Sequence, residues 1–187
     1  MTIRIVAHGI PQDTAEAAYQ NAVDYLRQSD LAKFLIGELE GISEVLTINV
    51  YANNSASDAW NPPAATATTE AGSITWNLTT HVQTIEVKSD NPALSGLTKF
   101  ISYFKPNVVR SMSPALVLMH EMGHACQFMT DKAHFRSRMS NLTNAVRLDI
   151  ENINVNAIEN TVANELNDKG FKEGIRWDYL KTKSGHG

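Results

Sequence analysis

The sequence predicts an α+β fold in a single domain spanning residues 1–187. Of these 187 residues 43% are hydrophobic, which is enough for one compact core. Apolar residues recur at helical spacing near both ends of the chain, and β-branched residues concentrate between them. This order of helices, strands and helices favours an α+β fold over alternating βαβ units.

Two helices are predicted at the start of the chain. The first runs through AEAAYQNAVDYLRQ, with Asp13 or Thr14 as the N-cap. Its apolar positions recur at helical spacing: Ala18, Ala22, Tyr25 and Leu26. The second helix, DLAKFLIGELE, is predicted to end at Gly41, a residue that suits a left-handed C-cap.

Three strands are predicted in the middle of the chain. VLTINVYA (45–52) is rich in β-branched residues, and SITWNLT (73–79) and VQTIEV (82–87) share this character. We expect the last two to form a hairpin that turns near Thr80 and His81. Residues 53–72 are rich in Pro, Ala and Thr, which indicates a surface loop.

The pattern becomes helical from residue 93 onward. Ser113 followed by Pro114 marks a strong helix start, because serine caps a helix and proline suits its first turn. The helix ALVLMHEMGHACQFM follows. A further helix covers residues 143–167 and is broken by Gly170 and Gly174.

Composition excludes several classes of protein. The net charge of −4 argues against nucleic acid or an anionic membrane as a partner, because both require a cationic face. Cys126 is the single cysteine, which rules out an intrachain disulfide and a cysteine-based zinc site. The chain has neither a secretory signal pattern nor an apolar run of about 20 residues, so we expect a soluble protein. We also expect it to be a monomer.

HEMGH (120–124) carries the chemical information in this sequence. His120 and His124 are one helical turn apart, so both imidazoles can reach one metal ion. Glu121 is placed to accept a proton from a water that the metal activates. The alternative is a surface helix with two solvated histidines. The preceding PALVLM is apolar nearly all round, which indicates a buried helix and favours a zinc site.

A catalytic zinc site requires a third protein ligand. The metzincin pattern is excluded, because Gln127 and Thr130 stand where it requires glycine and histidine. His134 is better explained as a surface histidine. A glutamate on a later helix is the gluzincin solution, and spacing alone leaves three candidates open: Glu151, Glu159 and Glu165.

The segments HEMGHA, ENINVNAIENTVANEL and GIRWDY together resemble the short zincins of the NleD-type effector and Rhs-toxin metallopeptidase family. The resemblance covers about residues 113–180. It implies a zincin-like domain with a small mixed β-sheet and an HExxH active-site helix. It also implies a bacterial effector or toxin that a specialised secretion system delivers into a target cell, where it acts on a protein or peptide.

The resemblance also implies residue roles. His120, His124 and Glu151 would bind zinc, with Glu159 as the fallback third ligand, and Glu121 would be the general base. Glu159, paired with Asn160, would hold the segment that carries Arg176 and Tyr179. Those two residues would face the zinc and stabilise the developing oxyanion. Two interpretations of SITWNLT stay open: the edge strand that lies over the active-site helix in zincins, where substrate adds as an extended strand, or an ordinary core strand.

The sequence thus predicts a zinc-dependent endopeptidase, and two alternatives stay open. One is a non-catalytic module that kept a zincin fold and works by binding a partner. The other is a zinc amidase that acts on cell-wall peptide.

Overall fold

A four-stranded mixed sheet with helices packed on it forms the framework of the protein. The computed structural model describes residues 2–53, 56–86, 108–141 and 143–176. The strands are β1 (Thr2–His8), β2 (Val45–Tyr51), β3 (Ala59–Asn61), β4 (Glu70–Asn77), β5 (Val82–Glu86) and β6 (Val108–Met112). The helices are α1 (Gln12–Leu26), α2 (Asp30–Gly41), α3 (Pro114–Thr130), α4 (Lys132–Ser140), α5 (Asn144–Asn154), a π-helical turn (Val155–Glu159) and α6 (Asn160–Asp168).

The order of strands in the main sheet is β1-β2-β4-β3. Strands β1, β2 and β4 run parallel, and the short β3 runs antiparallel to β4 at one edge. Strands β5 and β6 form a separate antiparallel pair. The predicted α+β class with a small mixed sheet is therefore confirmed.

The sheet corrects three predictions about strands and decides between the two interpretations of SITWNLT. SITWNLT and VQTIEV do not form a hairpin, because β4 pairs with β2 and β3 while β5 pairs with β6. SITWNLT is an interior strand, as its interpretation as an ordinary core strand requires. The edge strand next to it is β3, which lies within the predicted loop 53–72. Residues 108–112, expected to be helical, form a strand because the backbone of β5 provides their hydrogen-bonding partner.

The N-terminal strand β1 is absent from the predicted elements. It pairs in parallel with β2 through a crossover that contains α1 and α2, so the first part of the chain is a β-helix-helix-β unit. Alternating Ile3, Ile5 and Ala7 pack against the core from this strand. This parallel unit is a feature of residues 2–51 that the predicted elements do not include.

The helix ends agree with prediction only in part. Ser113 caps α3 as expected, since its hydroxyl accepts a hydrogen bond from the N–H of Leu116. Helix α1 begins after Pro11 without a side-chain cap, so neither Asp13 nor Thr14 is its N-cap. Gly41 ends α2 but lacks the positive φ of a left-handed C-cap. The helical segment predicted at 93–107 lies outside the described residues.

The core lies between the sheet and helices α1, α2 and α3. Leu46, Ile48 and Val50 of β2 face it, together with Ile74 and Trp76 of β4. Helix α3 is buried on nearly all sides from Ala115 to Ala125, as its apolar sequence predicts. None of the helices in the described ranges has the length and apolar character needed to cross a membrane.

Candidate metal centre

Helix α3 carries two histidines and a glutamate into the interior of the protein. His120, Glu121 and His124 are all buried, although each has a polar or ionisable side chain. The two imidazole rings lie edge to face, with their centroids 4.9 Å apart. Polar groups are costly to bury unless they have partners, so the surrounding helices must supply those partners.

The partners come from the continuous helical segment formed by α5, the π-helical turn and α6. Glu151 lies on α5 and Glu159 ends the π turn. Eight residues of regular α-helix would leave these side chains about 80° apart around the axis, at about 100° per residue. The π turn takes up one extra residue, which reduces the offset to about 20°. Both carboxylates can therefore face His120.

Helix α5 packs closely against helix α3. Asn154 donates a hydrogen bond from its side-chain amide to the backbone carbonyl of His120, at 2.7 Å. Gly123 allows the contact, because a Cβ atom at this position would lie 2.1 Å from Oδ1 of Asn154. The glycine inside the HEMGH segment is therefore required by packing between helices.

Three donor atoms converge at the centre of the site. Oε2 of Glu151 lies 3.3 Å from Nε2 of His120 and 3.3 Å from Nε2 of His124. The three donor atoms all lie within 4.8 Å of one another. Oε2 of Glu151 is buried and makes no well-formed hydrogen bond within the described part of the chain. Such an atom normally has a partner, and a cation between the three residues would provide one.

The arrangement fits zinc. Two tetrahedral ligands at about 2.0–2.1 Å from a zinc ion are about 3.3–3.4 Å apart, which matches both glutamate–histidine separations. Two imidazole nitrogens and one carboxylate oxygen are also a donor set that zinc accepts, with a fourth position left open in catalytic sites. Of the three glutamates that the sequence leaves open, Glu151 is the one that meets both histidines.

Glu159 lies on the other side of the His120 ring. Its Oε2 is 2.8 Å from Nδ1 of His120. Arg176 donates from Nε to Oε1 of Glu159 at 2.6 Å, and from Nη2 to Oε2. Because an ionised carboxylate can only accept, we assign a proton to Nδ1, so Nε2 is the nitrogen that would bind a metal after losing its own proton. A carboxylate that orients a ligand histidine in this way is typical of zinc sites.

Burial and neighbouring charges shift the pKa values of His120, Glu151 and Glu159. Burial alone would lower the pKa of His120, but Glu151 and Glu159 on either side raise it to about 9. Burial would raise the pKa of Glu159, yet the Arg176 guanidinium and His120 hold it below the ordinary value. The pKa of Glu151 is likewise low, because the two histidines close to its carboxylate outweigh burial. Both carboxylates are therefore ionised at neutral pH.

Glu121 is held by the edge strand. Its Oε2 accepts a hydrogen bond from the backbone N–H of Trp60 in β3, at 2.6 Å. Burial, partly offset by the neighbouring histidines, raises the pKa of Glu121. The general base predicted from the sequence thus lies against the strand that forms the sheet edge.

The indole ring of Trp60 lies beside the rings of His124 and Phe128. Its ring centroid lies 6.5 Å from that of His124 and 5.5 Å from that of Phe128. Its indole N–H donates to the carbonyl of Ala71. Gly72, at φ 99°, leaves room for the indole, since a Cβ there would be 2.7 Å from Nε1 of Trp60.

The remaining predicted site residues have mixed outcomes. Arg176 is buried and contacts His120 from the Nδ1 side, with Nη2 3.1 Å from that nitrogen, while the donor cluster lies on the Nε2 side. Its predicted role at the oxyanion stays a prediction. Tyr179 lies outside the described residues. Glu165 is away from the site, where it accepts hydrogen bonds from Ser29 and Leu31 at the start of α2.

Sequence reasoning did not identify Asn154 or Trp60 as parts of the site. Asn154 follows Glu151 by three residues, a helical spacing that could have indicated a shared face. Trp60 has no comparable signal, because its backbone N–H, not its side chain, meets Glu121.

Comparison with known proteins adds nothing to these observations. No family model, no curated protein and no solved structure matches the chain. The resemblance to NleD-type peptidases therefore depends on the short motifs alone.

Proposed function

We propose that this protein is a zinc-dependent endopeptidase with a zincin-like fold. The observation that carries the proposal is the position of Glu151 Oε2, 3.3 Å from Nε2 of both histidines. Glu121 lies beside these histidines on α3 and would be the general base. A buried pair of histidines with a third donor and an adjacent carboxylate is what metal-assisted hydrolysis requires.

His120, His124 and Glu151 would hold the metal. Zinc bound there would lower the pKa of a water molecule and polarise the scissile carbonyl group. The chain itself would supply the proton transfers. Glu121 would take a proton from the attacking water and return it to the leaving amine. A raised pKa suits this cycle, because a carboxyl group closer to neutrality both accepts and donates a proton readily.

Strand β3 would position the substrate. Within the described residues it pairs only with β4, so an extended peptide could add along its other edge. The Trp60 N–H on Glu121 links this edge directly to the proposed base. An extended peptide beside β3 would therefore run past Glu121, which supports a protein or peptide as substrate. Delivery into a target cell as an effector or toxin remains part of this proposal.

The test compares wild-type protein with Glu121→Gln. Both are loaded with zinc and incubated with peptide libraries prepared from bacterial and eukaryotic proteomes, and cleavage sites are identified by mass spectrometry. We expect one zinc per chain in both proteins and a loss of cleavage of about 10²–10⁴-fold in the variant, the range for removal of a general acid–base group.

Glu165→Gln is the matched control, because Glu165 is also a hydrogen-bonded carboxylate but lies at the start of α2. It should keep full activity. Full cleavage by Glu121→Gln would show that the base is misassigned. Zinc binding without cleavage of any peptide would favour a binding module or an amidase of cell-wall peptide over an endopeptidase.

A further inference from the structure

Side chains of helix α6 hold the backbone of the segment that carries Arg176. After α6 the chain reverses at Gly170, whose φ of 96° is in the left-handed region that favours glycine. Residues 171–176 have no regular secondary structure. A segment without its own hydrogen-bonding ladder needs side chains to fix its backbone.

Two asparagines on α6 provide that fixation. Asn160 donates to the carbonyl of Arg176 at 2.5 Å and accepts from its N–H at 2.9 Å. Asn167 donates to the carbonyl of Glu173 at 3.0 Å and accepts from its N–H at 2.7 Å. Each asparagine therefore replaces a neighbouring strand for one residue of the segment.

The spacing of these contacts matches along the helix and along the segment. Seven residues on a helix separate the asparagines by about 10.5 Å. Three residues of extended chain, from Glu173 to Arg176, cover about 10–11 Å. The segment thus runs back along α6 with a fixed register, and that register determines which residue arrives beside Glu159.

Glu173 locks the register from the other side. Its buried carboxylate accepts a hydrogen bond from the hydroxyl of Tyr25 at 2.5 Å and from the backbone N–H of Ser113 at 2.8 Å. Ser113 is the N-cap of α3, the helix that carries the two histidines. Glu173 therefore connects the Arg176 segment to the start of the metal-binding helix.

We infer that Asn167 and Glu173 are positioning residues for the metal site: they fix the backbone position from which the Arg176 side chain contacts Glu159 and His120. The inference deepens the proposed function and rests on it, because the zinc site is what Arg176 supports. With either anchor removed, the register of the segment loosens, Arg176 withdraws from Glu159, and the carboxylate that orients His120 loses the guanidinium that holds it.

The test measures zinc affinity by competition with a chromophoric chelator. Asn167→Ala and Glu173→Ala should each weaken zinc binding by about 10-fold, near the lower end of the 10–100-fold range for partners of metal ligands. Glu173→Gln should rescue binding to within about 3-fold of wild type, because its amide oxygen can accept from Ser113 while its NH₂ donates to the Tyr25 hydroxyl. Glu165→Ala is the matched control and should leave zinc affinity unchanged.

A double-variant cycle separates positioning from loss of stability. In an Arg176→Gln background, Glu173→Ala should cause no further loss of zinc affinity, because Glu173 acts through Arg176. A further loss as large as that in the wild-type background would overturn the inference. So would an effect of Glu165→Ala equal to that of Glu173→Ala.

NMR provides a readout that needs no metal. The Nε–H of Arg176, donated to buried Glu159, should give a slowly exchanging signal in the metal-free wild type and in Glu165→Ala. The signal should be lost in Glu173→Ala and Asn167→Ala, and its persistence there would overturn the inference. If wild-type protein binds no zinc at all, the proposed function fails, while this signal still decides whether the two residues position Arg176.

Discussion

The carboxylate of Glu159 lies 2.8 Å from Nδ1 of His120, on the side of the ring away from Glu151. The two glutamates therefore meet one histidine at different nitrogens. Glu151 faces the donor cluster and Glu159 forms a buried ion pair with Arg176. This difference would separate the proposed metal ligand from the residue proposed to orient His120.

Substitution should separate the two roles. Glu151→Ala should weaken zinc binding by more than the 10–100-fold typical of an orienting partner, because it removes a ligand. Glu159→Ala should lower the stability of the metal-free protein by about 3–5 kcal/mol, because it leaves the Arg176 charge buried without its carboxylate. Chelator competition and urea denaturation measure the two effects. Loss of zinc binding in Glu159→Ala with unchanged stability would reverse the assignment.

The π-helical turn makes a prediction about deletions. Removing Asn156, an exposed residue of the turn, should convert it to regular α-helix and keep Glu151 and Glu159 aligned, so zinc affinity should change by less than about 10-fold. Removing exposed Asn152 should rotate Glu151 by about 100° relative to Asn154 and abolish zinc binding. Chelator competition on both proteins is the measurement. Equal losses in the two deletions would contradict the role given to the turn.

The close contact between Gly123 of α3 and Asn154 of α5 leads to a prediction about stability. Gly123→Ala would place Cβ 2.1 Å from Oδ1 of Asn154, so the asparagine must move and its hydrogen bond to His120 is lost. We expect a loss of about 1–3 kcal/mol in the free energy of unfolding, the usual cost of overpacking. Asn154→Ala removes the nearest obstacle and leaves Cδ1 of Ile158 at 3.1 Å, the end of a side chain that can shift slightly. The double variant should therefore be no less stable than Asn154→Ala alone, and additive losses would show that the contact is not the cause.

Glu165 provides a test of pH dependence away from the site. Burial would raise the pKa of its carboxyl group, but hydrogen bonds from Ser29 and Leu31 lower it overall. A carboxyl with a lower pKa in the folded state contributes stability above its ordinary pKa of about 4.5, and this contribution is lost as pH falls through the folded value. Glu165→Gln should thus lower Tm by a few degrees at pH 7 and by progressively less as the pH falls below about 4.5. A constant difference in Tm across this range would contradict the shift.

The sequence indicates the centre of the site better than its surroundings. The spacing of His120 and His124 and the Ser113–Pro114 start both depend on local helix geometry, which short patterns report well. The choice of Glu151 among three glutamates depends on how α5 packs on α3, which spacing alone does not contain. The π turn that aligns Glu151 with Glu159 has no sequence pattern of its own.

The strands show the same limit. Local composition identifies β2 and β4, because β-branched residues favour extended backbone. It does not indicate their partners, so it leaves open whether β4 is an edge or an interior strand, and β4 lies inside the sheet. The edge strand beside it, β3, has only three residues and follows no alternation that a pattern could detect. Its importance comes from a backbone N–H that reaches Glu121, a contact that any residue except proline could supply.

Anomalous diffraction at the zinc absorption edge tests the central claim most directly. Crystals of the wild-type protein grown with one equivalent of zinc should show one strong peak, about 2.0–2.2 Å from Nε2 of His120, Nε2 of His124 and a carboxylate oxygen of Glu151. Full occupancy of this position would support the assignment of all three ligands. A map with no peak between the two imidazole rings, or with zinc on other residues instead, would contradict it.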